Sequence, residues 1–134
     1  MIFNAIQIAF SSEEKLQITE EFVAKFGDLT GDKNPIHFDE NFAKKTVFKG
    51  KIVHGMISAN LIATLLSKNF PGAIYVSQSL NFLKPVKIND VITAKFKILK
   101  KDEKSKKVIL WTACFNQKNE KVLEGEAIIK ILDF

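Results

Sequence analysis

The chain has 134 residues, of which 46% are hydrophobic, and its mass of 15.1 kDa suits a single domain over residues 1–134. A mean hydropathy of +0.03 is ordinary for a folded globular protein, and no segment approaches the roughly 20 apolar residues needed to cross a bilayer. The net charge of +5 rests on 20 lysines without any arginine, scattered rather than gathered in the basic stripe of a nucleic-acid-binding surface.

The first half of the chain predicts a helix after two short extended segments, at residues 3–10 and 15–18. Thr19 can cap the start of this helix, because its hydroxyl accepts a hydrogen bond from an otherwise unpaired backbone N–H. Gly31 suits its end, since glycine adopts the left-handed conformation of a C-cap at little cost. One face of the helix is expected to be buried, and its members recur at i, i+4 and i+7: Phe22, Phe26 and Leu29.

The second half predicts one buried helix followed by a run of strands. Asp39 can cap a short helix through residues 41–45. Residues 53–67 are apolar on nearly every face but too few for a membrane span, which is typical of a helix inside a protein core. The pattern therefore favours an α+β fold with an antiparallel meander, whose strand-like segments are 73–83, 91–100, 107–116 and 122–132.

The most informative feature is the loop after the first helix, where residues 31–37 read Gly-Asp-Lys-Asn-Pro-Ile-His. It places the carboxylate of Asp32 five positions from the imidazole of His37, and such a pair can handle one water molecule from two sides. Pro35 biases Asn34 to an extended conformation and so sets the distance between the pair, while Asn34 holds the loop through side-chain-to-backbone bonds. The alternative is a plain turn, because Asp and Asn beside proline are common loop formers.

A second phrase, residues 52–56, reads Ile-Val-His-Gly-Met and opens the buried helix. Gly55 permits close packing there, but its N–H is also one of the donors that a helix start leaves unpaired, and it could hold a developing negative oxygen. His54 is interpreted as a packing residue of the helix start rather than a second base. An acid–base pair beside an oxyanion donor is what is needed to add water to a polarised double bond, or to remove it.

These phrases resemble the MaoC-like dehydratase family, in particular its (R)-specific enoyl-CoA hydratases. The family's motif runs from an aromatic residue through small and apolar residues to Gly-Asp-x-Asn-Pro-apolar-His, and residues 26–37 match it. Residues 52–56 match the family's apolar-apolar-His-Gly-Met phrase. Further matches extend the resemblance over nearly the whole chain, at residues 78–82, 85–86 and 125–127.

The resemblance implies a hot-dog fold, an antiparallel sheet of about five strands wrapped round the central helix. It also implies a lyase that interconverts trans-2-enoyl-CoA and (R)-3-hydroxyacyl-CoA. Asp32 and His37 would activate one water, the Gly55 N–H would hold the thioester oxygen, and Asn34 and Pro35 would support the loop. No metal or cofactor is expected, since coenzyme A is part of the substrate.

Two other functions stay open: a hot-dog acyl-CoA thioesterase, and a non-catalytic acyl-CoA-binding module. The chain departs from some family members near Ala63, where they place a hydroxyl residue about two turns after the oxyanion glycine. The expected partners are the acyl-CoA substrate and a second copy in a homodimer or higher even oligomer, with no nucleic acid and no membrane. A lone Cys114 and the absence of a secretory pattern at residues 1–4 favour the cytoplasm.

Overall fold

The computed structural model describes residues 3–132, in which one antiparallel sheet wraps round one long helix. The strands are β1 (Ser11–Gln17), β2 (Ile74–Gln78), β3 (Asn81–Phe82), β4 (Val91–Asp102), β5 (Lys107–Phe115) and β6 (Lys121–Lys130). The helices are α1 (Glu20–Thr30), α2 (Pro35–Phe38), α3 (Glu40–Lys44) and α4 (Gly55–Asn69). Within the described residues, none of these helices has both the length and the apolar character needed to span a bilayer.

The sheet has the strand order β1-β4-β5-β6-β2, and β3 pairs with residues 123–124 of β6, next to the residues 127–130 that pair with β2. It has six strands rather than about five, because the predicted strand 73–83 is divided into β2 and β3. Between them Ser79 closely approaches Gly125 of β6: a Cβ at Gly125 would lie 1.8 Å from the Ser79 carbonyl oxygen. The predicted α+β class and the meander of long strands are confirmed.

The central helix α4 is confirmed as the core of the domain, although it begins and ends two residues later than the predicted 53–67. It packs against β1, β4 and β5. Met56 is an exception to its all-round burial, because 53% of this side chain is exposed. The fully buried side chains around α4 come from both the helix and the sheet: Ile57, Ile62, Leu65, Ile92, Phe96, Ile98, Leu110 and Leu123.

Two predictions in the first half of the chain are wrong. Leu29 is 87% exposed, because the buried face of α1 is centred on Val23 and Gly27, with Phe22 and Phe26 at its margin. The segment 3–10 is not an extended strand. Its apolar residue Phe3 instead enters the core from a single 3-10 turn, and the first strand begins only at Ser11.

Candidate active site

The candidate loop begins where α1 ends. The Thr19 hydroxyl accepts a hydrogen bond of 3.1 Å from the Phe22 N–H and caps the start of α1, as predicted. Gly31 caps its end with φ of +79°, and the Gly31 N–H donates to the Gly27 carbonyl at 2.9 Å. This left-handed conformation would strain a residue with a side chain. The end of α1 therefore determines where Asp32 leaves the helix.

Asn34 and Pro35 make the second bend of the loop. Asn34 is the N-cap of α2, and its side-chain oxygen accepts a hydrogen bond of 3.2 Å from the Ile36 N–H. Its backbone is extended, with ψ of 127°, as expected for a residue before proline. Pro35 is the first residue of α2, where its missing N–H costs nothing. This short helix carries His37 back towards Asp32.

The orientation of His37 is fixed by the segment that precedes α4. Its Nδ1–H donates to the Ile52 carbonyl at 2.7 Å, so the neutral ring keeps Nε2 free to accept a proton. Burial lowers the pKa of His37 below its usual 6.5; the nearby His54 ring acts in the same direction, while the Ile52 hydrogen bond and Asp32 oppose it. The half-buried ring is therefore mainly in its basic form at neutral pH.

The structure brings Asp32, His37 and His54 together. One side-chain oxygen or nitrogen of each residue lies within 4.8 Å of the others. The Asp32 side chain is 48% exposed, whereas His54 is buried. At this separation the Asp32 carboxylate and the His37 ring can both contact one water molecule, because each hydrogen bond spans about 2.8 Å. The sequence prediction that Asp32 and His37 meet across the loop thus agrees with their positions.

The same three residues fit a metal ion poorly. The Nε2 of His54 lies 3.0 Å from the Asp32 carbonyl oxygen, which can only accept, so this nitrogen carries a hydrogen. The other ring nitrogen, Nδ1, is fully buried. The lone pair of the neutral ring is then on Nδ1, which an ion beside Asp32 and His37 could reach only after a rearrangement of the buried ring. That leaves two protein ligands, fewer than the three or four of ordinary zinc sites.

Gly55 is the first residue of α4, and the phenyl ring of Phe82 lies directly against it. A Cβ at Gly55 would come within 2.6 Å of this ring. This contact agrees with the predicted packing role of Gly55. Its N–H is also among the donors that the first turn of α4 leaves without an intrahelical acceptor. The packing role and the donor role of Gly55 are compatible, because the absence of a side chain leaves space both for the Phe82 ring and for an atom that approaches the N–H.

A cavity of about 460 Å³ lies between α4, the segment before it, and β3. Its walls are mostly apolar, and His37 and Gly55 both contribute to them. The remaining lining residues are Phe48, Ile52, Val53, Met56, Ser58, Phe82, Leu83, Lys84, Pro85, Val86, Val122 and Leu123. An apolar cavity with a base and a helix start in its wall can hold an acyl group and polarise a carbonyl oxygen.

Sequence reasoning missed the contribution of three residues. His54 is a packing residue, as predicted, but the residues it packs against belong to the site. Ser58 lines the cavity one turn after Gly55, and its buried hydroxyl lacks a hydrogen-bond partner within residues 3–132. Phe82 covers Gly55 from a strand of two residues. A spacing of three residues from Gly55 could have indicated Ser58; only the fold brings Phe82 there.

Comparison with known proteins gives a consistent result. The family model described as "MaoC like domain" matches residues 3–114. A 3-hydroxybutyryl-CoA dehydratase of Methylorubrum extorquens is 35% identical over 133 residues, which cover 98% of this chain and 84% of that protein. An (R)-specific enoyl-CoA hydratase of Rhodospirillum rubrum is 38% identical over 131 residues, which cover 96% and 90%.

A solved structure extends the similarity to the fold. The (R)-hydratase from Aeromonas caviae superimposes with a TM-score of 0.90 at 34% identity, covering 96% of this chain and 98% of that one. Its hot-dog architecture is shared by this chain. The similarity in sequence, the shared fold and the motif at residues 31–37 all indicate the same family. The chain belongs to the MaoC-like dehydratase family.

Proposed function

We propose that this protein is a hydro-lyase that reversibly hydrates trans-2-enoyl-CoA to (R)-3-hydroxyacyl-CoA. Relatives that match nearly the whole chain have this activity or its reverse in their names. The observation that carries the proposal is the pairing of the Asp32 carboxylate with the His37 ring, within 4.8 Å, beside a cavity that also contains the start of α4. A binding module has no need for such a pair.

In the proposed reaction, one water molecule lies between Asp32 and His37. As its oxygen forms a bond to the β-carbon, one member of the pair removes a proton from it. A proton is then delivered to the α-carbon on the same face of the double bond. Because the pair returns one proton for each that it takes, no net charge accumulates. Which of the two residues is formally the base is a property of the coupled pair.

The thioester oxygen is proposed to lie at the start of α4, near the Gly55 N–H. Negative charge moves onto this oxygen as water attacks the β-carbon, and the helix dipole adds about half a positive charge at its N terminus. The donor therefore stabilises the enolate-like transition state more than the substrate. Neither a metal nor a redox cofactor is required by this chemistry, and their absence from the mechanism is a prediction of the proposal.

Coenzyme A is proposed as the carrier because two relatives that match nearly the whole chain act on CoA thioesters by name. Lys84 lines the cavity and is 2.7 Å from a carboxylate oxygen of Glu120, so a CoA phosphate would compete with Glu120 for it. This is one candidate among the lysines around the motif. The cytoplasm stays the predicted location, and Cys114 is a buried free thiol.

A homodimer is proposed as the active form. The two edges of the sheet differ: β1 carries Glu13, Glu14 and Lys15, whereas β2 presents the uncharged, partly exposed residues Ile74, Tyr75 and Val76. Charges on an edge strand oppose pairing with another chain, and an apolar edge favours it. Pairing of β2 with a second copy would also cover Met56, the exposed residue of α4 that lies beside Tyr75 and Val76.

The function is tested by incubating the purified protein with crotonyl-CoA and following two signals. Loss of enoyl absorbance without release of free thiol identifies hydration. Thiol release identifies a thioesterase, and tight binding with neither signal identifies a binding module. Either of these last two results would contradict the proposal.

The stereochemistry is tested by coupling. The product should be oxidised by an (R)-specific 3-hydroxyacyl-CoA dehydrogenase and should give no signal with an (S)-specific one. A strong signal from the (S)-specific enzyme would contradict the assignment even if hydration were observed.

A further inference from the structure

His54 lies where the parts of the candidate site meet. It is only 2% exposed, although it is polar and contacts the loop that carries Asp32. Its ring faces the His37 ring with centroids 3.8 Å apart and planes inclined by 32°. The rings of Phe26 and Phe38 enclose it from other sides, with centroids 5.0 Å and 5.5 Å away. The imidazole therefore has very little freedom to move.

The hydrogen bond of His54 links the two halves of the site. Its Nε2–H donates to the Asp32 carbonyl at 3.0 Å. His54 is also the N-cap of α4 and immediately precedes Gly55 in the chain. One residue thus holds the backbone of Asp32, supports the ring of His37, and fixes the position of the first N–H of α4.

We propose that His54 is a positioning residue, which sets the distance and direction between the Asp32–His37 pair and the Gly55 N–H through its hydrogen bond to the Asp32 carbonyl. The inference rests on the proposed hydration. In that reaction water and thioester must be held at the same time from opposite sides of the site. A displacement of about 1 Å between such groups can lower the rate by about 10²-fold.

The hydrogen bond, rather than the ring alone, explains why this position needs histidine. Phenylalanine would fill the same aromatic enclosure and could stack on His37. It would, however, leave the Asp32 carbonyl without this donor, and the loop would lose its link to the start of α4. A purely packing role for His54 predicts that phenylalanine is tolerated, and a positioning role predicts that it is not.

The decisive comparison uses two amides of different length. In His54→Gln the side-chain NH2 can reach the place of the imidazole Nε2, whereas in His54→Asn it is one methylene too short. We expect kcat of His54→Gln to exceed that of His54→Asn by at least about fivefold, with KM values within about threefold of wild type. His54→Phe should resemble His54→Asn in kcat. Equal kcat values for the folded amide variants, or a fully active His54→Phe, would overturn the inference.

A control variant separates positioning from stability. Val108→Ala removes buried volume from β5, outside the cavity, and its side chain is 0% exposed in the wild type. It should lower Tm at least as much as the His54 variants while keeping kcat within about twofold of wild type. If kcat instead follows Tm across all the variants, His54 has only a structural role.

A further measurement is made on the wild-type protein and therefore does not depend on whether the variants fold. Nitrogen-15 NMR should show that Nε2 of His54 is protonated and hydrogen-bonded in the resting protein. A bare Nε2 would overturn the inference, even with hydration intact. Conversely, a wild-type protein that leaves crotonyl-CoA unchanged would contradict the proposed function, while the NMR result would still decide whether His54 links Asp32 to α4.

Discussion

The Nδ1–H of His37 donates to the Ile52 carbonyl at 2.7 Å, and this contact determines which ring nitrogen is available for chemistry. With Nδ1 occupied, the neutral ring accepts a proton only at Nε2. The donor and the acceptor lie on different segments, α2 and the approach to α4, which are also joined by the Ile52 N–H and the Ile36 carbonyl at 3.2 Å. The His37 ring is therefore aligned by backbone hydrogen bonds between these two segments.

The lowered pKa of His37 predicts the acid limb of the pH profile. The pair needs the neutral form of His37, because only this form has an Nε2 that can accept a hydrogen bond or a proton from the water, so kcat/KM should be level around neutrality and fall as the pH decreases below 6.5 through the lowered pKa. Initial rates with crotonyl-CoA between pH 4.5 and 9 would measure this. An acid limb centred above 6.5 would contradict the assignment of the His37 environment.

The same group contributes to stability with a defined sign. The unfolded histidine, with its ordinary pKa of 6.5, binds more protons than the folded one just below that pH. The contribution of His37 to the free energy of unfolding should therefore be fully present above pH 6.5 and should be lost as the pH falls through the folded pKa. Urea titrations of wild type and His37→Gln should show that the variant lacks this part of the decrease.

Removal of either member of the pair should abolish most of the activity. Asp32→Asn and His37→Ala should each lower kcat by at least about 10²-fold, the usual scale for a positioned acid or base. The double variant should be little worse than either single one, because the two residues act on one water as a unit. A folded single variant with more than about a tenth of wild-type kcat would contradict the pair.

Gly55→Ala should lower activity, and a second substitution tells why. The new methyl group would collide with the Phe82 ring, since two ring carbons lie 2.6 Å and 2.8 Å from the ideal Cβ. We expect kcat to fall by about tenfold because the ring or the first turn of α4 must move. If the ring moves into the path of the thioester, Phe82→Leu in the Gly55→Ala background should recover most of the loss.

The outcome of that double variant is informative in both directions. Recovery would show that Gly55 is needed because Phe82 leaves no space for a side chain. Persistent loss in a protein of normal stability would show that the methyl group itself blocks the approach of substrate to the helix start. Full activity of the single Gly55→Ala variant would contradict both interpretations.

Gly125→Ala should be among the most destabilising single substitutions in the chain. Its Cβ would lie 1.8 Å from the Ser79 carbonyl oxygen, and this neighbour is backbone that cannot rotate away. The hydrogen bonds between Ser79 and Glu126, both 2.9 Å, would have to lengthen. A loss of about 3 kcal/mol or more in the free energy of unfolding is expected.

Gly50→Ala is the matched control for this prediction. Its Cβ would meet only a Glu40 carboxylate oxygen at 3.8 Å, which is an ordinary contact. Its stability should stay within about 0.5 kcal/mol of wild type. Equal effects of the two substitutions in urea titrations would contradict the close approach of β6 and the β2–β3 connection.

Local patterns in the sequence were sufficient to predict much of the fold. The caps at Thr19, Gly31 and Asp39 depend on short-range hydrogen bonds, and all three are present. The strands followed from runs of apolar residues between turns. Leu29 was misplaced because periodicity fixes the spacing of a helix face but not which of two overlapping faces turns inward.

The site was predicted only as far as the motif extends. Asp32 and His37 are close in sequence, so a loop with one proline was enough to pair them. The contacts of His54 and Phe82 depend on the packing of α4 against segments distant in the chain. No local pattern encodes that Phe82 lies over Gly55 or that the His54 ring faces His37.

The homodimer should pair through the edge strand β2. The groove between α4 and β2 is open, with a volume of about 530 Å³, and Met56 and Val76 are among the residues lining it. The exposed fractions of these two residues are 53% and 44%, so apolar surface on α4 and on the edge strand β2 is open to solvent. A small domain buries only about two-thirds of its unfolded surface, and two-fold pairing is the commonest way to cover such a face. Light scattering should give roughly twice 15.1 kDa, or a higher even multiple, at micromolar concentration.

Two lysine substitutions decide which surface pairs. Val76→Lys places a charge on the apolar edge and should yield monomers with reduced activity, because the face of α4 beside the site would lose its cover. Leu99→Lys is the matched control: Leu99 lies on β4, is 47% exposed, and is distant from the β2 edge in the order of strands. It should remain dimeric and active. A wild-type protein that is monomeric and fully active would contradict the dimer, and a Leu99→Lys variant that dissociates while Val76→Lys does not would place the interface elsewhere on the sheet.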